Sequence, residues 1–302
     1  MSRCAALRAI RLVRHGAPLT AEDIADPRPR SGEVLIDIRA AGICHSDAHY
    51  RADPSRTSVP RTLGHEIAGV IAATGQRVAV HYLLQNGDMI GKEVDGGYAE
   101  RIVVPAANAI PIPDHVSFEE AAIMMCSTAT ALHALRLASF QPGESLAILG
   151  FGGLGISALQ LAKRMGASEI RVADRVLEKR QLAESLGAKA GIEPVDVALD
   201  FAGNADLSLQ ALRALKPGGR LMLVAINLRD MRLDPYADVL GKERRIIGVS
   251  DHTRDELLEL MQMHLDLSQA ITRRVSLAAG DINGVLDELD RRTAHLRTVI
   301  II

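Results

Sequence analysis

One short stretch constrains the fold more than any other. The apolar run at residues 146–149 breaks into Gly150-Phe151-Gly152-Gly153-Leu154-Gly155 and passes directly into an amphipathic helical segment over 154–165. Small residues let a backbone turn tightly out of a strand and approach a pyrophosphate, whose negative charge then rests at the positive end of the following helix. A glycine-rich turn can also serve packing alone. Here, however, a second apolar run at 170–173 ends at Asp174, where a carboxylate can accept hydrogen bonds from both hydroxyls of an adenosine ribose. The chain is therefore expected to bind a dinucleotide through Gly150, Gly152, Gly153, Gly155 and Asp174. The carboxylate favours NAD over NADP by repelling a 2′-phosphate, and the adjacent Arg175 is the counterweight.

The sequence around this turn predicts the rest of an α/β architecture. Short apolar runs at 195–201, 221–226 and 245–249 alternate with helical patterns at 176–186, 207–215 and 254–265. Such alternation implies a doubly wound parallel sheet with helices on both faces. The first 125 residues have a different texture. They read as strands at 8–13, 34–40, 66–72, 77–82 and 98–104 with irregular connections, which predicts a β-barrel or sandwich. Val34, Ile36 and Ile38 alternate with Leu35, Asp37 and Arg39, as a strand with one strongly buried face requires. A helix around 282–290 and an apolar strand at 298–302 follow in the tail.

A chain of 302 residues can build two cores, and 48% apolar with 24% charged residues is ordinary for a globular protein. Only 3% of residues are aromatic, so those cores must come from aliphatic side chains and Met. Lys and Arg total 35 against 37 Asp and Glu. That balance offers no electrostatic footprint for nucleic acid or an anionic membrane. No apolar stretch approaches the roughly 18 residues of a membrane span, and Arg3, Arg8, Arg11 and Arg14 interrupt the N-terminus. The reading is a cytoplasmic protein without a signal peptide. The cysteines Cys4, Cys44 and Cys126 are odd in number and widely spaced, as expected of reduced thiols rather than a disulfide framework.

Two further motifs are unremarkable separately: Gly42-Ile-Cys44-His45-Ser46-Asp47-Ala48-His49 and Gly64-His65-Glu66. A half-buried Cys is usually a small hydrophobe, and a lone His is usually structural. Taken with the strand opening at Gly32, the Gly96-Gly97-Tyr98-Ala99-Glu100 turn and the glycine fingerprint, they carry a resemblance over nearly the whole chain. The sequence resembles the zinc-dependent alcohol dehydrogenases of the medium-chain dehydrogenase/reductase superfamily. That resemblance implies a GroES-like, β-rich catalytic domain built from 1–126 and 249–302, with a Rossmann NAD-binding domain, 127–248, inserted between.

By the same resemblance, Cys44, His65 and Cys126 match the catalytic zinc ligands, and Glu66 matches an acidic residue that ligates transiently. Two thiolates and one imidazole offset the charge of Zn²⁺ and leave a fourth tetrahedral position for water or substrate. Asp47 matches a carboxylate that orients the histidine ligand. Ser46 matches the hydroxyl that receives the alcohol proton, and His49 the outer end of that proton path. Lys179 matches a lysine near the adenosine ribose and Arg254 one near the cofactor phosphates, although each also reads as a solvated surface charge. Cys4 matches nothing and reads as an incidental thiol.

The sequence departs from the family in two places. Most relatives carry a second, structural zinc on a lobe with four cysteines. Here the corresponding region, from His81 to Met89, contains no cysteine and runs within a few residues into Gly96-Gly97. The link between Gly69 and Val78 is also short. These features imply one catalytic zinc per chain, trimmed loops and NAD(H) as cofactor. The implied activity interconverts primary or secondary alcohols with aldehydes or ketones, in a homo-oligomer (dimer or tetramer). The rival readings are a polyol or amino-alcohol dehydrogenase of the same fold, and a non-catalytic relative that binds NAD or zinc. The former is disfavoured by Cys126 and by the His that follows Cys44.

Overall fold

The computed structural model describes residues 6–227, 229–293 and 296–302. Arg3 and Cys4 lie outside the described residues. By packing, the chain divides into two compact units, residues 1–126 with 257–302 and residues 127–256.

The first stretch runs β1 (Ala6–Leu12), β2 (Thr20–Ala25), β3 (Glu33–Ile43), α1 (His45–Ala52), β4 (Arg61–Thr62), β5 (Glu66–Ile71), β6 (Arg77–Val80), β7 (Arg101–Pro105), β8 (Ala109–Pro111) and α2 (Phe118–Ile123). A π-helical turn, Met124–Thr128, leads into the second unit. There follow α3 (Ala129–Leu137), β9 (Ser145–Leu149), α4 (Gly153–Arg164), β10 (Glu169–Ala173), α5 (Leu177–Ser185), β11 (Lys189–Ala190), β12 (Val195–Asp200), α6 (Ala205–Ala214), β13 (Leu215–Leu223) and β14 (Arg245–Gly248). The chain returns through α7 (Arg254–Gln262) to β15 (Ile271–Ser276), α8 (Ala279–Asp290) and β16 (Arg297–Ile301).

In the first unit, a three-stranded sheet has the order β2-β1-β4, and a seven-stranded sheet runs β15-β16-β3-β5-β6-β8 with β7 also on β3. The eleven-residue β3 organises the larger sheet. Its first half pairs with β7, its last residues pair with β16, and β5 runs antiparallel along it. Ile36 and Ile38 of β3 join Ile67, Val78, Val80 and Ile102 in one core, while α1 and α8 bury Ala48, Tyr50, Ile282 and Leu286 against Ile10, Leu12 and Tyr98 in another. The second unit is a six-stranded sheet, β11-β10-β9-β12-β13-β14, parallel throughout. Its order reverses direction at β9, which places the turn after β9 where α/β sheets open a ligand crevice.

The expected strands and helices appear, with instructive shifts. Tyr98 stands outside the last β-ladder of its region, because its carbonyl accepts the N–H of Ile10 on β1 instead. The strand expected over 221–226 ends at Leu223 and begins earlier, at Leu215, with a bulge against β12. α1 was not legible as a helix: its eight residues are mostly polar. Expected at 249, the second crossing between units falls at 257. Val249 still donates to Leu223 and Glu256 still holds His133 at 3.0 Å, so 249–256 pack with the second unit. Among the described residues, no helix is long and apolar enough to cross a membrane.

Candidate active site

The local sequence explains why Cys44 and His65 come together. Cys44 caps the N-terminus of α1, and Asp47, one turn in, accepts its backbone N–H at 3.0 Å. The same carboxylate accepts the Tyr98 hydroxyl at 2.7 Å and the Gly64 N–H at 3.3 Å, and lies 3.4 Å from His65 Nδ1. One fully buried aspartate therefore fixes both motifs and leaves the other ring nitrogen of His65 available. Sheet register supplies the next group. Glu66 opens β5 directly opposite Gly42 on β3, and a Cβ at Gly42 would stand 1.9 Å from the Glu66 carboxylate. Cys126 sits in the π-helical turn, a local widening of the helix often found at functional positions.

The donor atoms of Cys44, His65, Glu66 and Cys126 all lie within 4.8 Å of one another, with the two sulfurs 4.0 Å apart. Two sulfurs at about 2.3 Å from a tetrahedral zinc stand roughly 3.8 Å apart, so the donor set fits that ion. Its electrostatics fit as well. The hydrogen bond between the two sulfurs raises the Cys126 pKa well above that of a normal thiol and lowers that of Cys44 well below. Burial pushes Glu66 up to about 7, although Arg297 opposes this. Burial alone would lower His65, yet the Asp47 charge holds it well above an ordinary imidazole. Glu66 Oε1 is buried with no hydrogen-bond partner. Two thiols, an imidazole and a carboxylate buried together are a donor set whose combined charge suits a divalent ion.

Three further contributors complete the site: Arg297 and Tyr82 stand in none of the motifs, and Tyr98 stands in one without its role being evident. Arg297, buried at the start of β16, forms an ion pair with Glu66. Tyr98 anchors Asp47, and Tyr82 sets its ring edge-on to His65 with centroids 5.2 Å apart. A carboxylate at the head of the apolar strand β5 signals that some cation is near, because a buried lone charge is prohibitive. The sequence does not say which cation.

Ser46 Oγ lies 3.7 Å from Cys44 Sγ, and His49 stands one turn further along α1, on the same face. Both are half-buried, and the His49 ring stacks on His45 with centroids 4.6 Å apart.

The second unit carries the glycine turn. Gly150 adopts φ +90°, a conformation that favours glycine, and a Cβ at Gly155 would stand 2.6 Å from the Gly150 carbonyl oxygen. Gly152 caps α4 without a side-chain acceptor, and a Cβ there would meet no protein atom within 4 Å. The helix end is open to an anion. Asp174 follows β10, where its carboxylate accepts the N–H groups of Phe151 at 2.7 Å and Val176 at 2.9 Å. Each oxygen retains a lone pair for a further donor. Lys179 is half-buried on α5, whereas Arg254 is exposed at the start of α7.

Residues 30–114 match the family described as Alcohol dehydrogenase GroES-like domain, and 153–265 match that described as Zinc-binding dehydrogenase. An alcohol dehydrogenase of Geobacillus stearothermophilus is 32% identical over 81% of this chain and 85% of its own. The chain belongs to the zinc-binding alcohol dehydrogenase family. An NAD-dependent alcohol dehydrogenase of Sulfurisphaera tokodaii is 31% identical over 80% of this chain and 78% of its own. A zinc-binding dehydrogenase from Sinorhizobium meliloti 1021, solved with NADP, superposes with a TM-score of 0.86 at 26% identity, covering 99% of this chain and all of that one. As a member of this zinc-binding family, the chain is an oxidoreductase acting on CH–OH groups, with a nicotinamide dinucleotide as its redox partner.

Proposed function

We propose that the chain is an NAD-dependent zinc alcohol dehydrogenase that interconverts primary or secondary alcohols with aldehydes or ketones. Residues 1–126 and 257–302 serve as its catalytic domain and 127–256 as its nucleotide domain. The observation that carries this reading is the buried cluster of two thiols, an imidazole and a carboxylate within 4.8 Å. Cys44, His65 and Cys126 would hold zinc, with Glu66, restrained by Arg297, as an occasional fourth ligand. When bound, zinc supplies a Lewis acid that acidifies a substrate hydroxyl, and NAD⁺ supplies the hydride acceptor.

The chain's own residues do the rest. Asp47, 3.4 Å from His65 Nδ1, orients the ring toward the donor cluster by charge. Ser46 Oγ accepts the alcohol proton and His49 passes it to solvent. Gly150, Gly152, Gly153 and Gly155 bring backbone N–H groups and the α4 end to the pyrophosphate. Asp174 would receive the adenosine ribose, with Lys179 beside the same ribose and Arg254 toward the phosphates.

The homo-oligomer reading finds support in the second unit. β14 ends its sheet, and nearby Tyr236 and Leu240 are 71% and 68% exposed, an apolar edge suited to a second copy of the chain. A cytoplasmic location accords with the need of Cys44 and Cys126 to stay reduced.

The test is an alcohol and aldehyde panel with both nicotinamides, run on metal-quantified protein alongside Ser46→Ala. One zinc per chain, turnover with simple alcohols and a loss of about 10² to 10⁴ in kcat for Ser46→Ala are expected. Two tightly held zincs, or wild-type kcat in Ser46→Ala at every pH, would sink the respective assignment.

A further inference from the structure

α1 carries Ser46, Asp47 and His49, with Cys44 at its cap, so a small rotation of this eight-residue helix misplaces every one of them. Its far end is held by a buried cation. Arg51, with only 10% of its side chain exposed, directs one guanidinium nitrogen to Asp287 at 2.8 Å and another to Asp290 at 2.6 Å. These carboxylates lie one turn apart on α8 and present a matched pair of acceptors to the planar fork. The apolar face of α1 packs on the same helix through Ala48 and Tyr50 against Ile282, Val285 and Leu286. Apolar packing resists separation of the helices, but it is weakly directional. The two-point ion pair fixes rotation and slide.

We propose that Arg51 is a positioning residue: by clamping Asp287 and Asp290 it orients α1 and sets the electrostatic surroundings of His49. The inference rests on the proton-path reading of His49 given above. His45 stacks on that imidazole with centroids 4.6 Å apart, and Arg56 from the loop that follows, Asp290 from α8 and Cys44 at the helix cap act on it through their charge. Burial, then His45 and Arg56, holds the His49 pKa below its ordinary value, while Asp290 and Cys44 act in the opposite sense. Asp290 therefore speaks both to Arg51, by direct contact, and to His49, through space. Removing the Asp290 charge lowers the pH at which His49 titrates. Removing the Arg51 charge unmasks two carboxylates and raises it.

The experiment follows the His49 imidazole by NMR in the holoenzyme, its resonance identified by its loss in His49→Gln, together with the pH profile of kcat/KM. Asp290→Asn, isosteric and partly solvated, should move the His49 midpoint down; Arg51→Met should move it up. Arg51→Met should also lower kcat about tenfold with the KM for NAD and the zinc content unchanged, and Arg51→Lys should restore part of that loss. An unmoved midpoint, or movement in the same direction in both variants, overturns the inference. Opposite shifts in the imidazole without matching shifts in the activity profile uphold the clamp and overturn instead the role of His49 in proton transfer.

Discussion

The cluster around Cys44 and the turn at Gly150 are built on opposite terms. The cluster is made of side chains, drawn from the end of β3, the start of β5 and a π-helical turn, and its groups are buried where every charge needs an answer. The turn is made of backbone contributed by six consecutive residues, and its chemistry depends on what is missing: no Cβ at Gly152 and no side-chain cap on α4. One site specifies its ligand by donor type, the other by empty space and oriented N–H groups. It follows that the first fails by losing an atom and the second by gaining one.

The largest effect expected from that contrast is in the cluster. Cys126→Ala deletes one of two sulfurs and leaves Arg297, Glu66 and Cys44 with an altered charge balance. Zinc per chain, read by atomic absorption, should fall from one to near zero, and alcohol oxidation should drop by at least about 10³, since a neutral alcohol without Lewis-acid help keeps a pKa far above working pH. Near-normal turnover in that metal-free variant would move the protein to a zinc-independent reductase chemistry.

The glycine turn should respond differently at two positions. At Gly152 an added methyl meets no protein atom, so Gly152→Ala should melt with the parent protein yet raise the KM for NAD about tenfold, equivalent to about 1.4 kcal/mol. At Gly155 the methyl meets the Gly150 carbonyl, so Gly155→Ala should lose about 1 to 3 kcal/mol of stability and lower the melting temperature by several degrees. Calorimetry with NAD titration separates the two. Equal melting losses in both variants would show that the open space at Gly152 is not reserved for ligand.

The smallest effect concerns cofactor choice. Asp174 already accepts two backbone N–H groups, so Asp174→Ser should weaken NAD use while relieving the repulsion of a 2′-phosphate beside Arg175 and Lys179. The ratio of kcat/KM for NAD over NADP should fall about tenfold or more. Equal values for the two cofactors in the unmodified enzyme would mean that the two cations already outweigh the carboxylate.

The same contrast explains what could be read in advance. The glycine turn was legible because its six residues are contiguous and their meaning is local. Cys44, His65 and Cys126 were legible by residue type and by likeness to relatives, since nothing in spacing alone joins positions so far apart. Arg297 escaped for a physical reason: its contact is set by sheet register, whereas Tyr98 was visible in its motif without its partner Asp47. The pairing of Thr298 with Ile43, and of Gly42 with Glu66, brings Arg297 beside a carboxylate 231 positions away. β2, with the polar sequence Thr-Ala-Glu-Asp-Ile-Ala, escaped because an edge strand needs little burial. It is held by its ladder to β1.

The ion pair between Glu66 and Arg297 also imposes an order in time. Synthesis from the N-terminus delivers Cys44, His65, Glu66 and Cys126 before the second unit has been made, and Arg297 only after it. Throughout that interval Glu66 lacks the guanidinium that faces it in the folded chain. The sheet that holds the cluster and the charge balance of Glu66 are therefore completed together, when the last strand of the chain, β16, pairs with β3.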